Sequence, residues 1–243
     1  MKASPGVSSQ IGKNYEDVKT RIRNAVCERP AEAREVNLIA ISKSQPVEKI
    51  QALYDLGHRN FGENYADELI EKSVLLKTQS IRWSFVGRLQ SNKIRKIVSA
   101  AAEIQSAVSE KHVRLIAQAA AELGKTPYPI YLALNFAREP QKGGIQSLGE
   151  LLQLSEKITE HFPSIQLRGV MAIPPLELID EDLDRKKVFA HYQELYHASQ
   201  QVGSRELSLG MSRDLEYAIS CGSTTIRIGE ALFGRRDRPY KPS

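Results

Sequence analysis

Eight short runs of β-branched and apolar residues recur along the 243-residue chain, and each is followed by a segment with the period of an amphipathic helix. The predicted strands span residues 36–42, 59–63, 82–87, 104–108, 129–135, 166–171, 206–210 and 224–228. A further helix is predicted over residues 13–29, ahead of the first strand. Strict alternation of this kind requires parallel strands joined by helices, so the candidate folds are a doubly wound sheet and a closed (β/α)₈ barrel.

The first turn between strand and helix favours the barrel. It reads Ile-Ser-Lys-Ser-Gln-Pro over residues 41–46 and contains no glycine, so it cannot hold a GxGxxG or P-loop nucleotide motif. A barrel commonly takes about 250 residues as one unit. We therefore expect an α/β protein with one domain over residues 1–243: an N-terminal helix, a (β/α)₈ TIM barrel over about 30–234, and a basic tail over 235–243.

Charge and composition exclude several classes of protein. The net charge is 34 − 29 = +5, and the last ten residues carry +3 of it, which leaves about +2 for the rest of the chain. No nucleic-acid motif accompanies the tail, so no nucleic-acid partner is expected. The two cysteines and five histidines show no metal-ligand spacing, and no run of 18 apolar residues or apolar leader is present. We expect a cytoplasmic protein without a metal or membrane contact.

Lys43 directly continues the first predicted strand, at the end of the barrel where active sites are built. Partial burial at such a position lowers the pKa of an amine, and a neutral amine can attack a carbonyl group to form a Schiff base. The alternative is a strand-end lysine whose ammonium group reaches solvent.

The loops after the last two strands carry a phosphate-binding pattern. Gly210-Met211-Ser212-Arg213-Asp214 follows the seventh strand and opens a helix, and Gly229 follows the eighth. Ser212 or Asp214 could instead be an ordinary helix cap. Because the eighth and first strands adjoin in a closed barrel, the pattern together with the strand-end lysine favours a ligand with both a phosphate and an aldehyde. Pyridoxal 5′-phosphate has both groups.

Arg227 precedes the second of these loops by one pleat of the strand. An arginine at the pyridine nitrogen of pyridoxal phosphate keeps that nitrogen unprotonated and weakens the ring as an electron sink. The alternative is a structural ion pair inside the barrel, with Glu63 as a possible partner.

Seven segments together resemble one known family. They are IAISKSQP (39–46), FGENYADEL (61–69), WSFVGRLQSNK (83–93), NFAREPQKGGI (135–145), RGVMAI (168–173), LSLGMSRDLEYAI (207–219) and IRIGEALFG (226–234). The chain resembles the pyridoxal phosphate homeostasis protein family, single-domain barrels also called proline synthase co-transcribed homologues. The resemblance runs over about 36–234, and it implies a barrel like the N-terminal domain of alanine racemase.

The resemblance implies a role for individual residues near the cofactor ring. Lys43 corresponds to the lysine that holds the cofactor as an internal aldimine. Asn64 corresponds to a residue beside the ring, and Met171 to a side chain that packs near it. Lys142 matches a second family lysine that is connected with cofactor exchange.

The remaining implied contacts lie at the phosphate and at the ring nitrogen. Ser212 and Gly229 correspond to phosphate-loop residues, and Arg227 to the arginine at the pyridine nitrogen.

The chain departs from the family pattern at three positions. Ser84 stands where the family usually has histidine, and Gln45 stands where relatives often have a second lysine. Glu230 replaces a small hydroxyl residue, so a hydroxyl contact to phosphate is missing and the carboxylate must point away from a bound phosphate.

The resemblance implies a cytoplasmic, monomeric protein that binds pyridoxal phosphate, takes part in its homeostasis without established catalysis, and delivers it to apo forms of enzymes that use it. The chain ends at Ser243, and we expect no second domain to supply the second base that racemisation needs. The alternatives are a pyridoxal phosphate-dependent racemase or decarboxylase, an aldolase-like barrel that uses Lys43 without a bound chromophore, and a nucleic-acid-binding protein.

Overall fold

Eight parallel strands close into a barrel in which β8 pairs with β1. The computed structural model describes residues 4–27, 35–136, 143–174, 185–202 and 206–235. The strands are β1 (Asn37–Ile41), β2 (Asn60–Glu63), β3 (Arg82–Phe85), β4 (Glu103–Ala107), β5 (Tyr128–Leu134), β6 (Ile165–Ala172), β7 (Glu206–Ser208) and β8 (Thr225–Ile228). Each strand pairs in parallel with its neighbours in chain order. Closure confirms the barrel and rules out the doubly wound sheet.

Helices alternate with the strands around the outside of the barrel. Those in the described residues are α1 (Pro5–Cys27), α2 (Val47–Asp55), α3 (Ala66–Leu75), α4 (Ile94–Ala100), α5 (Glu110–Glu122), α6 (Leu148–His161), α7 (Arg185–Gln201), α8 (Leu215–Ser220) and α9 (Glu230–Phe233). The first helix begins eight residues earlier than the predicted 13–29. Proline is tolerated in the first turn of a helix because the N–H it lacks has no partner there, so Pro5 can open α1.

The caps and apolar stripes of the helices explain where they begin and how they pack. The hydroxyl oxygen of Ser109 accepts a hydrogen bond from the N–H of His112 at the start of α5, and Ser147 caps α6 in the same way. Val113 and Ile116 of α5 are fully buried, one turn apart on the face toward the barrel. No helix among the described residues is long and apolar enough to cross a membrane.

Side chains alternate between the inside of the barrel and the layer beneath the helices. On β1, Ile39 and Ile41 pack with Val86 in a small inner cluster, whereas Leu38 and Ala40 belong to the main core under the helices. Many inner positions of the other strands are polar. The interior therefore contains a hydrogen-bonded network beside small apolar clusters, and this network adjoins the site described next.

Candidate functional site at the carboxyl end of the barrel

The carboxyl ends of β8, β1 and β2 lie side by side. Ile41, at the end of β1, is in register with Gly62 of β2. Gly229 directly follows β8, and a Cβ atom built on it would lie 3.3 Å from the carbonyl oxygen of Ile41. Lys43 follows β1 by two residues, and Arg227 precedes Gly229 by two. The structure therefore brings Lys43, Arg227 and Gly229 to one corner of the barrel mouth.

The turn that carries Lys43 is fixed on both sides by buried charged groups. Lys43 is half-buried. The carbonyl oxygen of Ser42 accepts a hydrogen bond from the Lys72 ammonium at 2.6 Å, and the N–H of Ser44 donates to Glu68 Oε1 at 2.7 Å. Ser44 has a φ of +56°, a backbone conformation that L-residues rarely adopt. Side chains of α3 thus hold the backbone immediately before and after Lys43.

These contacts belong to a buried ionic cluster, Glu63–Glu68–Lys72. The Lys72 ammonium lies 2.8 Å from Glu63 Oε1 and 2.7 Å from Glu68 Oε1, and all three side chains are buried. Ser42 also donates its hydroxyl to Glu63 Oε1 at 2.7 Å. Burial raises the pKa of Glu63 to about 7, although the nearby Lys72 ammonium opposes the rise.

The position of Glu63 in this cluster rules out the suggested ion pair between Glu63 and Arg227. Glu63 shares the outward side of β2 with Phe61, which packs in the core beneath the helices, so its carboxylate faces α3. Arg227 points into the barrel instead. The prediction of that ion pair is wrong because the two side chains lie on opposite sides of the strand layer.

Arg227 is 5% exposed and its guanidinium hydrogen-bonds to neutral oxygens. One terminal nitrogen donates to the hydroxyl of Ser208 at 2.6 Å and the other to the carbonyl oxygen of Ala172 at 2.7 Å. Desolvation lowers the pKa of Arg227 to about 10, and the charge of Asp214 partly offsets that effect. The arginine is thus charged at neutral pH, rigidly held, and hydrogen-bonded without a carboxylate in these two contacts.

The loop after β7 is joined to the start of α9. The hydroxyl oxygen of Ser212 accepts a hydrogen bond from the N–H of Ala231 at 3.2 Å, and its carbonyl oxygen accepts one from Arg21 of α1 at 3.0 Å. Asp214 precedes α8 and accepts from the N–H of Met211 at 2.6 Å. Ser212 and Gly229 therefore lie on loops that meet, as a shared phosphate site requires.

Asn64 stands half-buried at the end of β2, beside the loop that follows β3. A Cβ atom built on Gly87 would lie 1.7 Å from the carbonyl oxygen of Asn64, so only glycine fits there. A cavity of about 310 Å³ opens at this junction. It is lined by Asn64, Tyr65, Ala66, Asp67, Gly87, Arg88, Gln90, Lys93 and Ile97. Asn64 therefore lies at the open carboxyl end of the barrel, beside this cavity.

Met171 lies on the inner face of β6. Its side chain is buried and clusters with Tyr131 and Ala133 of β5. Met171 is paired with Ser208 in the ladder between β6 and β7, so it lies beside the residue that hydrogen-bonds to Arg227. Lys142 lies outside the described residues, and its predicted role stays a prediction.

The three departures from the family pattern have distinct surroundings. Ser84 is buried inside the barrel and donates its hydroxyl to Glu103 at 2.9 Å. Gln45 is buried and accepts a hydrogen bond from Lys49 at 2.9 Å, which fixes the start of α2. Glu230 is exposed, so its carboxylate is solvated.

Sequence reasoning missed Ser208, Gln105 and Lys72. Gln105 and Ser208 are fully buried and hydrogen-bond to each other at 2.7 Å across the interior. The alternation of polar and apolar residues in the strands could have indicated polar side chains inside the barrel. The same alternation is typical of a strand with one solvated face, so it did not identify these residues. Among the described residues, no group of three or more histidine, cysteine, aspartate or glutamate side chains could hold a metal ion.

Comparison with known proteins agrees with the resemblance seen in the motifs. The family model of the alanine racemase N-terminal domain matches residues 15–237. A pyridoxal phosphate homeostasis protein from Pasteurella multocida is 34% identical over 231 residues, which cover 93% of this chain and 98% of the relative.

Two solved structures bear on the fold. PipY of Synechococcus elongatus with PLP bound has a TM-score of 0.78 and 29% identity, and the match covers 93% of this chain and 100% of PipY. An alanine racemase from Streptomyces coelicolor has a TM-score of 0.63 at 14% identity, and the match covers 88% of this chain but 57% of the racemase. The second likeness concerns the fold alone.

Proposed function

This chain belongs to the pyridoxal phosphate homeostasis protein family, and on that premise we propose that it binds pyridoxal 5′-phosphate at the carboxyl end of its barrel and takes part in the homeostasis of that cofactor. The observation that carries the proposal is the corner of the mouth where Lys43 and a buried, charged Arg227 meet the loops of Ser212 and Gly229. A primary amine, a fixed cation and two loops in contact with each other match an aldehyde, a pyridine ring and a phosphate.

The residues present fit that ligand. Pyridoxal phosphate supplies an aldehyde that condenses reversibly with a primary amine. Lys43 would provide the amine, on a turn whose backbone Lys72 and Glu68 hold in place. Ser212 and Gly229 would face the phosphate.

The ring would lie between the inner faces of the strands. Arg227 would face the pyridine nitrogen, while Asn64 and Met171 would flank the ring. The guanidinium would keep that nitrogen unprotonated, which favours holding the cofactor over strong electron withdrawal.

We propose that the protein carries the cofactor and does not turn over amino acids. The homeostasis relative is matched over 98% of its length, whereas the match leaves a large part of the racemase chain uncovered. Racemisation also needs acid or base groups on both faces of the substrate. Lys43 accounts for one face in this proposal.

Delivery of pyridoxal phosphate to apo forms of the enzymes that use it completes the proposal, with Lys142 as a second amine in that exchange. One barrel domain, a monomeric state and a cytoplasmic location stay predictions.

The experiment is a titration of the apo protein with pyridoxal phosphate, followed by visible absorbance and mass spectrometry. One equivalent should bind covalently and then pass to an apo pyridoxal enzyme, which regains activity. Incubation of the loaded protein with a panel of L- and D-amino acids should give no change of configuration and no carbon dioxide. Catalytic turnover of any of them would overturn the carrier proposal, and the absence of covalent binding would overturn the whole.

A further inference from the structure

A continuous chain of hydrogen bonds crosses the barrel interior and ends at Arg227. Arg82, at the start of β3, donates to Glu103 at 2.8 Å, and Gln105 donates its amide N–H to the same carboxylate at 2.7 Å. Ser208 donates its hydroxyl to Gln105 Oε1 at 2.7 Å. Arg227 donates to the Ser208 oxygen at 2.6 Å. Three consecutive bonds therefore join the guanidinium of β8 to a carboxylate on β4.

The three bonds from Arg227 to Glu103 all run in one direction. A hydroxyl has one hydrogen to donate, so Ser208, which accepts from Arg227, points its hydrogen at Gln105. The Glu103 carboxylate accepts only, which turns the amide N–H of Gln105 toward it and the amide oxygen toward Ser208. Each donor thus points away from the cation and toward the anion, the arrangement in which successive bonds polarise one another.

Burial makes this arrangement energetically important. Gln105 and Ser208 are 0% exposed, and Arg227 and Glu103 are each 5% exposed. A buried guanidinium requires compensation for lost hydration. A carboxylate in direct contact would supply it, but would also compete with a ligand for the N–H groups of the arginine. Contacts to neutral oxygens leave the N–H groups of Arg227 able to face the carboxyl end of the barrel, and the nearby charge of Asp214 offsets part of the desolvation.

We propose that Ser208 and Gln105 are positioning residues, which orient Arg227 toward the ring of pyridoxal phosphate. This inference rests on the proposed function. It predicts that breaking the chain at either residue weakens cofactor binding although neither residue touches the cofactor.

The test uses two buried serines that belong to the same network. Ser208→Ala removes the hydroxyl between Arg227 and Gln105. The matched control, Ser84→Ala, removes a hydroxyl that donates to Glu103 at 2.9 Å from the neighbouring strand and lies off the path to Arg227. Both variants lose one buried hydroxyl group, so a merely structural role would affect them alike.

We expect Ser208→Ala to bind pyridoxal phosphate about tenfold more weakly than the wild type and to shift the pH at which the visible band of the bound cofactor titrates. Ser84→Ala should match the wild type in both measurements. Gln105→Met keeps the approximate length of the side chain, cannot donate to Glu103 and accepts only weakly from Ser208, so it should reproduce the effect of Ser208→Ala. It also replaces that variant if Ser208→Ala does not fold. Equal effects in the Ser84 variant and the chain-breaking variants would overturn the proposal.

A measurement on the apo protein separates this inference from the proposed function. In ¹⁵N NMR spectra, the side-chain N–H signals of Arg227 should exchange slowly with solvent in the wild type and in Ser84→Ala. They should exchange at least tenfold faster in Ser208→Ala. Unchanged exchange in Ser208→Ala would contradict the positioning role. If the wild type fails to bind pyridoxal phosphate, the proposed function fails, and the exchange rates still decide whether the chain holds Arg227.

Discussion

The two ends of the barrel interior both contain arginines, but their partners differ. At the amino end, Arg82 pairs directly with Glu103, and Arg168 pairs with Glu206, beside a polar cavity of about 380 Å³. At the carboxyl end, Arg227 donates to a hydroxyl and a backbone carbonyl. A cation in direct contact with a carboxylate is largely neutralised within the fold. A cation held by neutral oxygens keeps its electrostatic field available to a ligand, which supports our proposal that the carboxyl end is the functional one.

The arginines at the two ends of the barrel also differ in their exposure to solvent. The side chains of Arg82 and Arg168 are 51% and 40% exposed, so water already screens their ion pairs. Arg227 and the Glu63–Glu68–Lys72 cluster are buried, and their contacts are correspondingly strong and sensitive to change. We expect substitutions near the mouth to have larger effects than substitutions at the amino end.

The largest effect is expected for Lys72→Met. This change leaves two buried carboxyl groups without the ammonium and frees the carbonyl oxygen of Ser42, and losing one partner of a buried ion pair costs about 3–5 kcal/mol. Denaturant unfolding at pH 7.5 measures this loss in the free energy of unfolding. Lys96→Met, on the exposed face of α4, is the control and should unfold like the wild type. Equal midpoints for the two variants would show that the cluster does not stabilise the mouth.

The second prediction concerns the pH dependence of stability. It depends on His58, which lies just before β2 at the amino end of the barrel. Burial lowers the pKa of His58 to about 4, below its ordinary value of 6.5. The folded protein therefore favours neutral histidine, and this contribution is present above pH 6.5 and is lost as the pH falls toward 4. Between pH 7 and 4.5 the wild type should lose roughly 2–3 kcal/mol more stability than His58→Gln.

Thermal or denaturant unfolding across that pH range checks the His58 prediction. His161→Gln replaces an exposed histidine at the end of α6 and serves as the control, so its pH profile should follow the wild type. If stability falls with pH by the same amount in the wild type and in His58→Gln, the His58 prediction is refuted.

The third prediction compares an arginine from each end of the barrel. Arg227→Gln should weaken binding of pyridoxal phosphate by about 10- to 100-fold, since a hydrogen bond to a charged group contributes about 1.5–3 kcal/mol. Arg168→Gln should leave binding unchanged and lower the free energy of unfolding by less than about 1 kcal/mol, because its ion pair with Glu206 is partly exposed. Similar losses of affinity in the two variants would remove the distinction between the ends.

The strands and the position of Lys43 could be predicted because they depend on local pattern. Runs such as residues 36–42 are β-branched and apolar and are bounded by polar turns, and a lysine at the end of such a run must lie near the barrel mouth. The alternation of strands and helices predicts parallel strands, and the first turn without glycine and the chain length favour the closed barrel that the structure shows. These features depend on one stretch of chain at a time.

The supporting residues could not be predicted because they depend on which side of a strand faces inward. The alternative ion pair with Arg227 requires Glu63 to face the interior, but a shift of one residue reverses the side of the strand, and Glu63 lies under α3. The contact of Gln105 with Ser208 joins residues that are 103 positions apart, and local periodicity contains no information about it. Polar groups that support a site across the barrel therefore need the structure.

The central claim is that Lys43 holds pyridoxal phosphate at the mouth. The most direct measurement is borohydride reduction of the reconstituted protein, followed by peptide mapping, on the wild type, Lys43→Ala and Lys96→Ala. We predict one modified residue, Lys43, in the wild type and in Lys96→Ala, and no stoichiometric modification or visible band in Lys43→Ala. Modification of a different lysine in the wild type, or a full visible band in Lys43→Ala, would contradict the account.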